Sequence, residues 1–560
     1  MQILTEIKKY VIILYQKSGN IRKKEGDAMT KLIRKLRGLL QIIFGRSAMV
    51  IFSLLTQLVF FFVIIEKLSD YSGVVYAFLI LLSAITIIHI LNEDTNANFK
   101  MAWIIPVLVI PVFGTMLYIF INVQIETKKM QKNTTKIESQ IKPLLRQNET
   151  IADELKSESK GEKGLASYLK NTGDFLVYKD NDVEFFPLGE DKFEEMVKQL
   201  RQAKHFIFME YFIVAKGYML DTILDILKEK AAEGIEVRFM YDGTCSIALL
   251  PWGYYKELAH YGIKSRPFSQ IRPVLSTVQN NRDHRKILIV DGKAAFTGGI
   301  NIADEYINKI ERFGHWKDTA VMVKGPAVKS FTYMFLKMWH LAGGKDNIPK
   351  EDLDEYVTDY TGEKCMFPVD KENEKLRSGG YVIPYCGGSF DSDWICRQVY
   401  IDILNRADKY VHIMTPYLIL DDEMISALSY CAKRGVETII IMPHIPDKLY
   451  AYTLSRTYYR QLLENGVKIY EYTPGFVHAK LFVSDDIRAS VGTANLDFRS
   501  LYLHFECSTY MYKNDAVSDI ENDYQYTLKK CEEVTLDNLG DYPWIKTMLG
   551  KVLRLIAPLM

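Results

Sequence analysis

One pattern occurs twice in this chain and constrains it more than any other feature. The first copy runs His284-Arg285-Lys286-Ile287-Leu288-Ile289-Val290-Asp291 and continues to Gly298-Gly299-Ile300-Asn301. The second runs His478-Ala479-Lys480-Leu481-Phe482-Val483-Ser484-Asp485 and continues to Gly492-Thr493-Ala494-Asn495. Both read H-x-K-x4-D-x6-G-x2-N. At ordinary residue frequencies, one chance match in a chain of this size arises on the order of once in a thousand chains or less. Two matches in register are not chance.

The run between Lys and Asp is apolar and β-prone in both copies, which predicts a buried strand. Alternate residues of a strand share a face, so His284 lies beside Lys286 and His478 beside Lys480. An imidazole, an ammonium and an Asn amide together suit a tetrahedral phosphate. Lys and Asn donate to phosphoryl oxygens, and His attacks phosphorus or moves a proton. Each copy has one such His. A double displacement needs a nucleophile and a separate acid/base, and the duplication supplies one of each. Asp291 and Asp485 complete the candidate catalytic set. Their odd spacing from the lysines turns them away from the phosphate on an unbroken strand, toward a structural or supporting role. No metal site is expected. A lysine on the same face repels a cation, and no second His or Cys stands at ligand spacing.

The doubled pattern resembles the signature of the phospholipase D superfamily. The wider text around it is similar to bacterial cardiolipin synthases: Gly475–Lys480, Val491–Ser500, His504-Phe505-Glu506, Gly298–Tyr306 and the segment around His315-Trp316-Lys317-Asp318-Thr319. The resemblance runs from about residue 74 to the C-terminus. It implies an α/β fold of two pseudo-symmetric phospholipase D-like α-β-α halves sharing one cleft, preceded by an N-terminal transmembrane helical region. It further implies a phosphatidyltransferase without cofactor, joining two phosphatidylglycerol molecules into cardiolipin and glycerol. In that scheme His284, from the N-terminal motif, is the nucleophile of a covalent intermediate and His478 the acid/base. Lys286, Lys480, Asn301 and Asn495 hold the phosphoryl oxygens, and Glu305 and Glu506 are candidates to orient the imidazoles. Hydrolysis, or transfer to another acceptor alcohol, is the alternative. A membrane-bound nuclease of the same superfamily is a weaker one.

Composition fits. Lys and Arg total 70 against 69 Asp and Glu, a net charge of +1, without the basic excess of a nucleic-acid binder; no nucleic-acid partner is expected. Seven scattered cysteines (Cys245, Cys365, Cys386, Cys396, Cys431, Cys507, Cys531) form no C-x-x-C pair and read as reduced structural thiols.

Along the chain, residues 1–46 form a basic arm, lying either on an anionic membrane surface or in solvent. Residues 47–125 hold three apolar stretches, Ala48–Ile65, Val74–Leu91 and Met101–Val123, each near the ~20 residues a membrane helix needs. The expected location is the cell membrane, multi-pass, with membrane lipids as partners. The basic flanks at Arg46 and at Lys128, Lys129 and Lys132 both face the cytoplasm only with an even number of crossings. Either one stretch is re-entrant, Met101–Val123, broken by Pro106, Pro111 and Gly114, being the obvious one, or one of the two charge signals misleads. Residues 126–170 read as a polar linker, partly helical. The first half, 171–345, and the second, 379–540, repeat a β-α-β rhythm that implies a mainly parallel sheet. A polar connector at 346–378 joins them. The copies are offset by 204 at Tyr254 and Tyr458 but by 194 at His284 and His478. The extra residues of the first half fall around Gln270–Asn281, a loop placed either to touch substrate or merely to cover surface. The tail, 541–560, is an amphipathic helix, either on a membrane or docked on the domain.

Overall fold

The computed structural model describes residue 59 and residues 72–122, 125–244, 249–269, 281–356, 379–390, 393–541 and 543–559. The basic arm, all of the first apolar stretch but Val59, residues 270–280 of the extra loop and residues 357–378 of the connector lie outside them. Two compact units are present.

In the first unit, helix α1 (Ser72–Leu91) packs on a shorter helix (Pro111–Asn122). The Ser83 and Thr115 hydroxyls lie 3.0 Å apart, and the Tyr118 hydroxyl donates to Glu93 at 2.8 Å. Met101–Val123 is not one rod. Helix Ala97–Val109 stops at Ile110 and the next starts at Pro111, because proline lacks an amide donor and disfavours helix at the residue before it. Gly114 is required there: a Cβ would meet the Pro106 carbonyl carbon at 2.4 Å. Among the described residues no helix is long and apolar enough to cross a membrane. Along α1, Val74, Tyr76, Phe78, Leu81, Ile85 and Ile88 nonetheless stay exposed.

The second unit holds the repeat. Its first sheet comprises β1 (Asp182–Phe186), β2 (Phe206–Tyr211), β3 (Glu236–Asp242), β4 (Lys264–Phe268), β5 (Lys286–Val290), β6 (Ala294–Gly298) and β8 (Ala320–Lys324), in the order β1-β8-β6-β5-β2-β3-β4. The second sheet comprises β9 (Tyr381–Gly387), β10 (Tyr410–Met414), β11 (Glu437–Pro443), β12 (Lys468–Tyr472), β14 (Leu481–Ser484), β15 (Arg488–Gly492), β16 (Glu506–Tyr512) and β17 (Cys531–Val534). Its order is β17-β12-β11-β10-β14-β15-β16-β9. Strand for strand the two match, with β17 added at an edge. The expectation of a mainly parallel sheet is corrected. Only β2-β3-β4 and β10-β11-β12, joined by helical crossovers, run parallel. The motif strands leave through tight turns and pair antiparallel, as short connections require.

Side-chain alternation sorts the first sheet into two layers. Leu288, Val290, Phe296 and Met322 pack with Met196, Leu200, Ile223 and Leu227 of the covering helices Gly189–Gln202 and Tyr218–Ala232. Ile287, Ile289, Ala295 and Val321 join a core shared with Ala489, Val491 and Cys507 of the second half. The polar stretch at 126–170 is not a free linker. It forms helices Ile125–Ile141, Glu149–Glu158 and Lys160–Gly173, with Ile137, Leu155 and Leu169 buried. Glu162, also buried, pairs with Arg406 and Arg488 at 2.6 Å each and accepts from Tyr510 at 2.7 Å.

The motif aspartates belong to this framework. Asp291 and Gly292 have φ of 55° and 65°, the left-handed pair of a hairpin turn. The Asp291 carboxylate accepts from the amides of Lys204 (2.9 Å), His205 (2.8 Å) and Phe206 (2.9 Å) where β2 begins. Asp485 does the same for Asp408, Lys409 and Tyr410. Both sit at the far end of the motif strand from its histidine, so their candidacy as catalytic groups is corrected: they pin neighbouring strands. Asp291→Ala leaves three amide donors without their acceptor and costs about 3–5 kcal/mol, read as a melting temperature lower by about 5–10 °C. Full stability with activity abolished would return Asp291 to the chemistry.

Candidate active site

Each motif histidine is stitched to the other half. The His284 amide donates to the Phe505 carbonyl at 3.0 Å, and the Phe505 amide to the Arg282 carbonyl at 2.9 Å. The His478 amide donates to the Lys317 carbonyl at 2.7 Å. That link extends a two-stranded parallel ribbon of β7 (His315–Lys317) and β13 (Gly475–Val477).

The carboxylates cross over in the same way. His284 Nδ1 lies 2.9 Å from both oxygens of Glu506. His478 Nδ1 lies 2.6 Å from Asp318 Oδ2. Glu506 and Asp318 are fully buried, and each comes from the half opposite its histidine. With Nδ1 taken, Nε2 is the free nitrogen of both rings. Gly299 makes room for Asp318: a Cβ there would stand 2.0 Å from Asp318 Oδ1. Glu506 also accepts from the Thr493 hydroxyl, which in turn accepts from the Cys507 amide at 2.9 Å.

Of the two glutamates expected to orient imidazoles, Glu506 is in place and Glu305 is not. Glu305 pairs with Arg312 at 3.0 Å on a largely exposed contact, and Asp318 takes its place. Offset counting misses Asp318, because it lies 17 residues beyond Asn301 while Glu506 lies 11 beyond Asn495. The structural cue is position: both acids stand at the start of the strand that follows, β8 or β16.

The remaining residues close around the rings. Lys286 and Lys480 are buried and donate to the carbonyls of their own histidines. Asn301 accepts from the Ile213 amide at 2.9 Å and donates to the Tyr306 hydroxyl at 2.8 Å. Asn495 donates to Asp497 at 3.1 Å, and its buried Oδ1 has no hydrogen-bond partner. Aromatic walls went unread in the sequence. Phe212 packs edge-on to His284 at 4.9 Å between centroids, and Tyr306 and Trp316 lie 5.5 and 5.3 Å from His478. A third imidazole, His504, sits 5.4 Å from His284, ring to ring.

The charged groups of the two copies act on one another. Burial holds His284 well below its usual range, and Lys286, Lys480 and His478 push it further down. Burial and Lys480 bring His478 down to about 4, with Asp318 opposing them. Lys480 itself is pushed down to about 7, first by burial. Each histidine feels the lysines of both copies. His284, His504 and Glu506 offer ligand atoms within 4.8 Å of one another, a set of borderline-cation type. The same two lysines oppose a cation there, and the His284 ring and the Thr493 hydroxyl already occupy the carboxylate. Among the described cysteines, Cys431, Cys507 and Cys531 are free thiols.

The family described as "Cardiolipin synthase, PLD-like domain" matches residues 196–339 and 400–528. The N-terminal family described as "Phospholipase_D-nuclease N-terminal" matches residues 81–121. Cardiolipin synthase 2 of Bacillus anthracis is 32% identical over 84% of this chain and 88% of its own. An uncharacterized protein of Streptococcus mutans is 46% identical over 85% of this chain and 99% of its own. In fold, the crystal structure of phosphatidylserine synthase from Haemophilus influenzae covers 71% of this chain and 98% of its own, at 16% identity and a TM-score of 0.52. The chain therefore belongs to the bacterial cardiolipin synthase family of the phospholipase D superfamily.

Proposed function

We propose that this enzyme transfers a phosphatidyl group between two phosphatidylglycerol molecules, giving cardiolipin and glycerol. The observation that carries the reading is the crossed pair, His284 on Glu506 and His478 on Asp318, with the lysines of both copies acting on both rings.

His284 is unprotonated, so its Nε2 lone pair attacks phosphorus. The bond to the glycerol headgroup oxygen breaks, and His478 gives that oxygen its proton. A phosphatidyl group is then held on His284. The headgroup hydroxyl of a second phosphatidylglycerol loses its proton to His478 and attacks the same phosphorus, and the bond to His284 breaks. Both histidines return to their starting state. Lys286 and Lys480 neutralise the phosphoryl oxygens as charge moves onto them. Burial and Lys480 on their own hold His478 neutral. A phosphodiester anion between the two ammoniums offsets their push and restores its hold on a proton. Asn495 serves the phosphate, and Asn301, which donates to the Tyr306 hydroxyl, acts through Tyr306. No metal is assigned a part.

The exposed apolar side chains of α1 and the proline-broken pair of helices after it support a membrane-embedded N-terminal region, which would keep the cleft beside its lipid substrates. Lipid analysis of cells expressing the protein tests the reading. Cardiolipin rises and phosphatidylglycerol falls with the wild type but not with His284→Ala. Phosphatidic acid in place of cardiolipin would mean hydrolysis, and a hybrid lipid would mean another acceptor alcohol; either replaces the reading.

A further inference from the structure

Helix Trp544–Ile556 has two apolar faces, and only one of them is used. It docks on helix Leu449–Glu464. Gly550 is buried there, where a Cβ would stand 2.6 Å from the Thr457 methyl. The Arg554 guanidinium lies 4.3 Å over the Tyr458 ring. On the other side Trp544, Ile545, Met548, Leu549, Val552, Leu555 and Ile556 are each between 45% and 74% exposed. At about 100° per residue these seven fall within an arc of about 140°. Lys551 projects about 20° beyond one edge of that arc and Lys546 about 60° beyond the other. From Trp544 to Met560 there is no Asp or Glu.

We infer that this outer face lies in the headgroup layer of an anionic lipid bilayer, as a second, peripheral hold on the membrane. An apolar arc with a lysine at its edge and a tryptophan at one end matches the boundary between acyl chains and charged headgroups. Lys551 at one edge, on a segment that carries no Asp or Glu from Trp544 to Met560, complements anionic phosphates. A second protein copy would have to bring its own acids to that edge.

Tryptophan quenching in the full-length protein, reconstituted into vesicles of phosphatidylcholine and brominated phosphatidylglycerol, tests this. Wild type minus Trp544→Phe isolates the Trp544 emission. Brominated lipid is expected to cut that emission about two-fold or more. The double variant Leu549→Glu with Val552→Glu is expected to abolish the quenching while keeping its melting temperature and its activity in detergent micelles. Unquenched Trp544, or quenching that survives the double variant, overturns the inference. So does a change of oligomeric mass in the double variant, which would mark a second copy as the occupant. Quenching needs no turnover, so this result stands apart from the proposed transfer reaction.

Discussion

His284→Ala is expected to abolish covalent labelling and to lower phosphatidyl transfer by about 10⁴-fold or more, the scale of losing a nucleophile. His478→Ala is expected to slow both half-reactions by about 10²–10⁴-fold, the scale of losing a general acid/base, with the label still forming. The motif sequence is symmetric on which histidine does which. In the structure each ring also rests on a carboxylate of the opposite half. His284 is held well below its usual range by burial, two lysines and His478. His478 is held at about 4 because Asp318 partly offsets burial and Lys480. Both rings are therefore neutral bases resting on a carboxylate, and the proposed assignment gives the attack to His284, from the N-terminal motif. Rapid quench with labelled phosphatidylglycerol, followed by peptide mapping, decides it. Label on the His478 peptide, or label persisting in His284→Ala, reverses the roles.

Much of the site was legible because the motif spacing encodes strand geometry. A histidine and lysine two apart, an apolar run and a terminal aspartate describe one strand and its turn, and two copies describe two. The oddly placed Asp291 is such a case: its spacing turned it away from phosphate, and it accepts three backbone amides at the start of β2. The β-α-β rhythm itself was readable, and β2, helix Tyr218–Ala232 and β3 follow it. Sheet direction was not, because a β-α-β rhythm describes three strands of each sheet and says nothing of the hairpins that follow. Asp318 was hidden for a different reason. It serves the histidine of the opposite half, 160 residues away, and local spacing carries no information about a swapped contact. How the partly helical stretch 126–170 packs was not legible, because composition counts charges without seeing partners. Glu162 looks solvated in sequence, yet it is buried against Arg406 and Arg488.

Asp318→Asn is expected to lower kcat by about 10³–10⁴-fold with KM changed little, since an amide can donate to Nδ1 and leave the ring in the wrong tautomer. The sign of the pH effect follows from the same contact. Asp318 raises the proton affinity of His478, so its loss lowers that affinity. In the proposed mechanism His478 is protonated to release glycerol, so the basic limb of the kcat profile is expected to move to lower pH. The residual activity of the variant therefore improves on acidification relative to wild type. A merely structural defect would lower activity at every pH alike and leave the limb in place. Gly299→Ala offers a second route to the same state, because its Cβ would stand 2.0 Å from Asp318 Oδ1 and push the carboxylate off His478. Glu305→Gln is the control and stays within about two-fold of wild type, since Glu305 pairs with the exposed Arg312. Should Glu305→Gln cripple the enzyme while Asp318→Asn spares it, the crossed-carboxylate arrangement is not what readies His478.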